Sequence, residues 1–181
     1  MGAAGMGLAM SGLVGEAWAA KARSELPVPP EVAQNLAQAR LQGDSRFRHY
    51  GFHVYDAQLW VPPGFEAGRV FSQPFALSLV YARSLKARDI AERSIDEMRR
   101  QATLGEAEAQ RWLQAMNTAF ADVRSGDRLT GLHQVNLGAS FFLNGQATRV
   151  IDDPRFATLF FGIWLSPATS APALRRDLLG A

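Results

Sequence analysis

The segment SFFLNGQATRVIDDPRFATLFFGIWL, residues 140–165, decides the fold class. Its first half predicts a β-hairpin, because Asn144-Gly145 is a strong two-residue turn signal between two strand-like runs. Its second half predicts a helix with Asp153 as N-cap and Pro154 at the first helical position. A hairpin followed directly by an apolar helix indicates an antiparallel sheet covered by helices, which is an α+β fold.

The rest of the chain indicates the same class. Residues 46–61 are expected to form one long strand with apolar and polar side chains on both faces, and residues 75–83 a half-buried strand with Phe75, Leu77, Leu79 and Tyr81 on one face. Residues 86–101 and 103–120 carry apolar stripes at helical spacing, and a last helix is expected from about Ala171 to Leu179. Strands, two helices, strands and two further helices give a large antiparallel sheet under a layer of helices.

Composition excludes several classes of function. The chain has 181 residues, a formal charge of +2 and no Cys, so disulfides and thiol catalysis are excluded. Its basic residues are interleaved with acids and form no basic tract, so we expect no nucleic-acid partner. The sequence contains no phosphate-binding loop and no nucleophile elbow, and we expect no cofactor.

The N-terminal part differs from the remainder. Residues 1–20 are small and apolar, contain no Lys or Arg, and end in a small-residue site before Lys21, which predicts a signal peptide and export to the periplasm. A Gly/Ala tail is the alternative. The apolar run is shorter than the about 20 residues of a membrane span. The prolines in residues 21–40 predict a linker, followed by one domain in residues 41–180.

Metal binding is not supported by the histidines. His49 and His53 lie four residues apart, which on a strand separates them by about 13 Å. No Cys and no carboxylate cluster completes a metal shell with either of them or with His133. We therefore expect no metal site.

The polar aromatic segment around residue 50 is the candidate binding site. Arg46, Arg48 and Tyr55 could hold a carboxylate or phenolate, because guanidinium and hydroxyl groups both donate hydrogen bonds to an anion. An apolar cavity behind them would take a tail. Regular alternation separates both Arg from Tyr55, so convergence on one cleft is expected either through a β-bulge near Gly51 or by an Arg that reaches the cleft from the end of the strand. The alternative is a strand whose Arg side chains face solvent.

Several segments together resemble the chalcone isomerase-like family, and more narrowly its bacterial, exported branch. They are FRHYGFHVYDAQLWV, FALSLVYARSLKARDIAERSIDEMRR, FLNGQ, RVIDDPRFATLFFGIWLS and LRRDLLG. The resemblance runs from about Leu41 to Gly180. It implies an open-faced β-sandwich, in which a large antiparallel sheet carries a layer of helices, in agreement with the order of elements above.

The resemblance also bears on catalysis. Plant chalcone isomerases close a flavanone ring without a cofactor, and rely on an Arg, a strand Thr, a helical Tyr and Asn seven residues apart, and a late Thr. In this sequence the matching positions are Arg46 or Arg48, then Tyr55, then Asp89/Asp96 or Ile90/Glu97, and finally Ile163. Most of the expected donors are therefore replaced, and the resemblance leaves the catalytic residues unknown.

The resemblance extends to a second branch of the family, whose members bind fatty acids through an Arg and a Tyr. We therefore expect a non-catalytic binder of a small amphipathic ligand, fatty-acid-like or phenolic, in a cleft between sheet and helices, with Arg46, Arg48 and Tyr55 at the head group. A cofactor-independent isomerase (an intramolecular lyase) of unknown substrate is the first alternative. A structural protein whose own side chains fill the cleft is the second.

Overall fold

A six-stranded antiparallel sheet forms the centre of the protein. In the computed structural model, which describes residues 26–180, the strands lie side by side in chain order and every neighbouring pair is antiparallel. The strands are β1 (Arg40–His49), β2 (Phe52–Val61), β3 (Phe75–Tyr81), β4 (Arg128–Gln134), β5 (Gly138–Leu143) and β6 (Gln146–Ile151). The predicted α+β class is confirmed.

Helices cover the two faces of this sheet unequally. They are α1 (Pro30–Asn35), α2 (Ala87–Arg99), α3 (Glu106–Ala119), α4 (Pro154–Leu165) and α5 (Pro172–Leu179), with a 3-10 turn at Ala67–Ser72. The four longer helices, α2 to α5, contribute to the main core on one face. The short helix α1 contributes to a small second core on the other face, against Trp60, Ala76 and Leu132. The sheet is thus an open-faced sandwich, as the resemblance implies.

The start of α4 follows the sequence signal closely. The Asp153 side chain accepts hydrogen bonds from the backbone N–H groups of Arg155 and Phe156, each at 3.0 Å, and Pro154 opens the helix. Its carboxylate also accepts a bond of 2.8 Å from the Trp112 indole, which ties α3 to α4. The predicted N-cap is confirmed, and it fixes the helix that covers the centre of the sheet.

The single strand predicted for residues 46–61 is wrong. The structure divides this segment into β1 and β2, joined by a two-residue turn in which Tyr50 and Gly51 both have positive φ, 48° and 81°. That is the geometry of a type I′ hairpin turn, in which Asn or Gly is the usual residue at the position of Tyr50. A tyrosine carries no turn signal, so the alternating pattern concealed the hairpin.

Part of the predicted linker, residues 21–40, is folded. Val32 and Leu36 in and after α1 are buried, and Glu31 is only 2% exposed. Two N–H groups of Arg128 donate to the Glu31 carboxylate at 2.9 and 3.1 Å, and the Thr130 hydroxyl donates at 2.8 Å. The second half of the predicted linker therefore packs on the sheet. The predicted signal peptide, residues 1–20, lies outside the described residues.

Candidate functional site

A cavity of about 310 Å³ lies between the inner face of the sheet and helices α2 and α4. This volume is near the lower end of the range for pockets that hold small organic ligands, about 300–1,000 Å³. Its apolar walls are Phe47, Val54, Leu79, Leu85, Ile90, Leu129, Phe160, Ile163, Trp164 and Ala171. The cavity wall is therefore mainly apolar.

Tyr55 forms the polar part of the cavity wall. Its hydroxyl oxygen accepts a hydrogen bond of 3.0 Å from the indole N–H of Trp164, and within residues 26–180 it donates none. Burial raises the pKa of Tyr55 above its ordinary value, and the hydrogen bond from Trp164 opposes this only in part. The phenol thus stays neutral, and its O–H proton is available to an acceptor in the cavity.

Tyr81 stands beside Tyr55 on the neighbouring strand. The two rings meet edge to face with centroids 5.9 Å apart, because Tyr55 and Tyr81 are paired across β2 and β3. Burial raises the pKa of Tyr81 too, and the nearby Tyr55 adds to the shift. No hydrogen bond of the Tyr81 hydroxyl is found in the described part of the chain. The cavity therefore has two neutral phenol groups.

The polar groups of α2 are largely engaged with one another. Arg93 donates a hydrogen bond to the buried carboxylate of Glu97, and Arg100 lies 3.6 Å from the other Glu97 oxygen. Ser94 donates its hydroxyl proton to the carbonyl of Ile90 in the preceding turn. The negative charge of Glu97 is thus balanced by two guanidinium groups. Arg93 is 61% exposed, and it uses only part of its fork of donors.

The mouth of the cavity is marked by its exposed lining residues. His49, Arg83 and Asp89 belong to this group, together with Arg93. The buried lining residues, among them Phe160 and Trp164, lie deeper. The cavity is therefore mainly apolar and phenolic inside, with the ion-paired carboxylate of Glu97 in its wall, and it is charged at its entrance.

A model of the chalcone isomerase-like family matches residues 23–180 of this sequence. The chain belongs to the chalcone isomerase-like family. An uncharacterized protein of Haemophilus influenzae is 28% identical to it over 138 residues, which is 76% of this chain and 66%, just under two thirds, of that protein.

A crystal structure of another protein superimposes on this fold. The crystal structure of a fatty-acid binding protein of Arabidopsis thaliana superimposes with a TM-score of 0.62, at 11% identity, over 79% of this chain and 87% of that one. At this identity the likeness shows the fold. None of the helices in residues 26–180 is long and apolar enough to cross a membrane.

The residues predicted at the head group are not all brought together. Tyr55 lines the cavity, but Arg46 and Arg48 do not. Arg46 forms an ion pair of 2.8 Å with Asp56, and Arg48 donates to the carbonyl of Gly51 at 3.3 Å. The expected convergence of an Arg from β1 with Tyr55 is therefore not found. Contact of these residues with a ligand stays a prediction.

Alternation along β1 explains this arrangement, and a β-bulge in the neighbouring strand does not change it. Phe47 pairs with Tyr55 and Arg48 pairs with His53, so Val54 is the extra residue. The bulge lies in β2 and not in β1, and it leaves both Arg on the outer face, opposite Phe47. It turns His53 outward, where its Nε2 lies 3.1 Å from Asp56. A bulge near Gly51 was expected to bring an Arg to the Tyr55 face. The bulge that the structure contains turns His53 to the outer face and moves neither Arg.

The lining of the cavity distinguishes between the two residue pairs of α2 that could match the helical Tyr and Asn of the plant enzymes. Ile90, Glu97 and Ile163 line the cavity, whereas Asp96 does not, so the Ile90/Glu97 alternative fits the cavity better than Asp89/Asp96. At these positions the resemblance implies Tyr, Asn and Thr in the plant enzymes. This chain presents two aliphatic side chains and an ion-paired carboxylate there. The donors that would hold a chalcone are absent from those three positions.

Sequence reasoning missed the cations of the cavity, Arg83 and Arg93. A signal for Arg93 was present in α2, where Ile90, Arg93, Ser94 and Glu97 recur at the spacing of one helical face. A face that packs directly on a sheet is usually apolar throughout. A stripe that mixes apolar and charged residues is therefore the pattern expected of a cavity wall. Among residues 26–180, no cluster of three or more potential metal ligands occurs.

Proposed function

We propose that this chalcone isomerase-like protein is a non-catalytic binder of a small amphipathic ligand with a carboxylate or phenolate head group. The observation that carries the proposal is the cavity of about 310 Å³ with the neutral Tyr55 hydroxyl in its wall. An apolar cavity with few polar groups is the usual form of a small-molecule site. The fatty-acid binding protein with the same fold supports this reading by analogy.

The head group is proposed to bind between Tyr55 and Arg93. Trp164 occupies a lone pair of the Tyr55 oxygen and so orients the phenol, whose proton is then donated to the ligand. Arg93 supplies positive charge from α2 and keeps donors that Glu97 does not use. Arg93 takes the place expected for Arg46 or Arg48, because it lines the cavity and they do not.

The cavity volume limits the tail. The volume of about 310 Å³ lies near the lower end of the range for small-molecule pockets, about 300–1,000 Å³. This favours a medium-chain fatty acid or a small phenolic over a long-chain lipid. We therefore expect decanoate to bind more tightly than palmitate, which is the reverse of their order of hydrophobicity.

The test is a titration of a fluorescent medium-chain fatty acid, and displacement by unlabelled decanoate. Ile163→Trp fills the cavity, and we expect it to abolish binding. Val150→Trp is the matched control, because Val150 is 60% exposed and does not line the cavity. Equal affinity of wild type and Ile163→Trp would show that the cavity is not the site.

The head-group donor is tested in the same titration. Tyr55→Phe should weaken binding about two- to tenfold, the equivalent of about 0.5–1.5 kcal/mol for one hydrogen bond. Tyr50→Phe is its control, because Tyr50 is 89% exposed at the hairpin turn. If both variants bind as the wild type does, the head group does not contact Tyr55.

A further inference from the structure

The β1–β2 hairpin extends beyond the rest of the sheet. The last ladder pair between β2 and β3 is Tyr55 with Tyr81, followed by one bond from the Ala82 N–H to the Val54 carbonyl. Residues 48–53, here called the hairpin tip, therefore have no strand beside them on the β3 side. Tyr50 is 89% exposed and Phe52 67%, which makes them the two most exposed large apolar side chains of the described residues.

The conformation of the tip holds these aromatic rings outward at a cost. Tyr50 has a left-handed backbone conformation, with φ 48°, in which a bulky residue is disfavoured and Asn or Gly is usual. His49 packs against the Tyr50 ring at 4.4 Å, and Arg48 braces the turn through the Gly51 carbonyl. A strained, exposed aromatic residue on a braced turn indicates that the side chain serves a purpose other than folding.

Two guanidinium groups lie in the tip or beside it. Arg48 is in the tip itself, and the bond between Ala82 and Val54 places Arg83 next to it. Both are exposed, and in residues 26–180 neither has a carboxylate within 4 Å. Amphipathic rings with unpaired cations beside them are the combination that favours the interface of an anionic membrane.

The tip is also continuous with the cavity. Phe47, His49 and Val54 of the same hairpin line the cavity, and Arg83 stands at its mouth. We propose that the hairpin tip docks on an anionic lipid surface, so that the cavity mouth faces the lipid and the ligand enters and leaves there. Docking itself follows from the tip, whereas ligand exchange rests on the proposed function.

The experiment is flotation of the full chain with phosphatidylglycerol vesicles and with phosphatidylcholine vesicles. We expect binding to the anionic vesicles that weakens with salt. The double variant Tyr50→Asn/Phe52→Thr should weaken it at least about tenfold, because two large apolar side chains no longer enter the interface. Folding should survive, since Asn-Gly is a favoured type I′ turn. The control Leu137→Ser/Val150→Thr removes two exposed apolar side chains elsewhere and should bind as the wild type does.

The charges are tested separately. Arg48→Gln and Arg83→Gln should each weaken binding about fivefold at low salt and reduce its salt dependence. Wild-type protein that does not float, or a tip variant that floats equally well, would overturn the proposal. Self-association through the tip, seen as a dimer that the tip variant abolishes without any vesicle binding, would overturn it as well.

A titration of the same variants with the fluorescent fatty acid, without vesicles, tests the proposed function separately from docking. The tip variant should bind the ligand as tightly as the wild type in solution, but transfer it to vesicles more slowly. A wild-type protein that does not bind the fatty acid would contradict the proposed function. Flotation would still test the docking of the tip. Unchanged transfer by a tip variant that binds ligand would contradict the docking route.

Discussion

Replacing Tyr55 by Phe should destabilise the protein through Trp164. The indole N–H of Trp164 donates to the Tyr55 oxygen at 3.0 Å, and Trp164 is only 7% exposed. Removing the hydroxyl leaves a buried donor without its acceptor, which typically costs about 1–3 kcal/mol. Because a water in the adjacent cavity can replace the acceptor in part, we expect a loss of about 1–2 kcal/mol in the free energy of unfolding.

Tyr81→Phe is the matched control for this change. Tyr81 is 3% exposed and lines the same cavity, but no donor in the described part of the chain depends on its hydroxyl. Its replacement should therefore change stability by less than about 0.5 kcal/mol. Burial raises the pKa of both phenols, so neither variant should alter the charge of the protein at neutral pH.

The measurements are urea unfolding and thermal unfolding of the ligand-free variants at pH 7, each monitored by circular dichroism. In a domain of this size a change of 1 kcal/mol shifts the melting temperature by about 2–4 °C. Tyr55→Phe should therefore melt several degrees below Tyr81→Phe. Equal stability of the two variants would refute the reasoning, because it would mean that the hydrogen bond to Trp164 contributes nothing to folding.

The remaining predictions concern acid stability, catalysis and export. Burial raises the pKa of Glu31, but hydrogen bonds from Arg128 and Thr130 outweigh it and hold that pKa below its usual value. The resulting stability is present above about pH 4.3 and is lost as the pH falls. Glu31→Gln should thus cost about 3 kcal/mol at pH 7 and flatten the acid decline in urea unfolding; parallel declines would contradict this. Chalcone cyclisation should not exceed the uncatalysed rate, since each missing donor costs about 3 kcal/mol of barrier; a saturable rate would be counter-evidence. We propose that the chain is exported and begins near Lys21, which N-terminal sequencing from the native host would check; an intact Met1 in the cytosol would disprove it.

Much of the fold could be predicted from the sequence where local signals agree. Asn144-Gly145 and the Asp153-Pro154 start of α4 each combine a turn or cap residue with a change of hydrophobic period, and both predictions match the structure. The α1 helix shows the limit. Pro30 opens it as Pro154 opens α4, but its N-cap position is Pro29, which has no side-chain acceptor. Tertiary contacts of Glu31 stabilise this helix, and these cannot be read locally.

The candidate site was less predictable than the fold. Tyr55 could be found, because a polar aromatic residue in a central strand is conspicuous. The Arg partner was missed, because the hairpin turn at Tyr50 concealed the pairing of β1 with β2, and because Arg93 lies on a helix and not on the polar aromatic strand. The cavity itself is space left between packed elements. Its volume depends on how α2 and α4 lie over the sheet, which a residue pattern does not specify.

The bulge at Val54 has a consequence for how this framework can evolve. It lets Val54 and Tyr55 both face the cavity and sends His53 to the opposite face, beside Asp56. Inserting one residue into β1 opposite Val54 would restore the regular ladder, and alternation would then carry the imidazole of His53 to the cavity side. On this sheet, one inserted codon would exchange His49 for His53 in the cavity wall and would bring Arg48 to the cavity side, where the sequence predicted a cation.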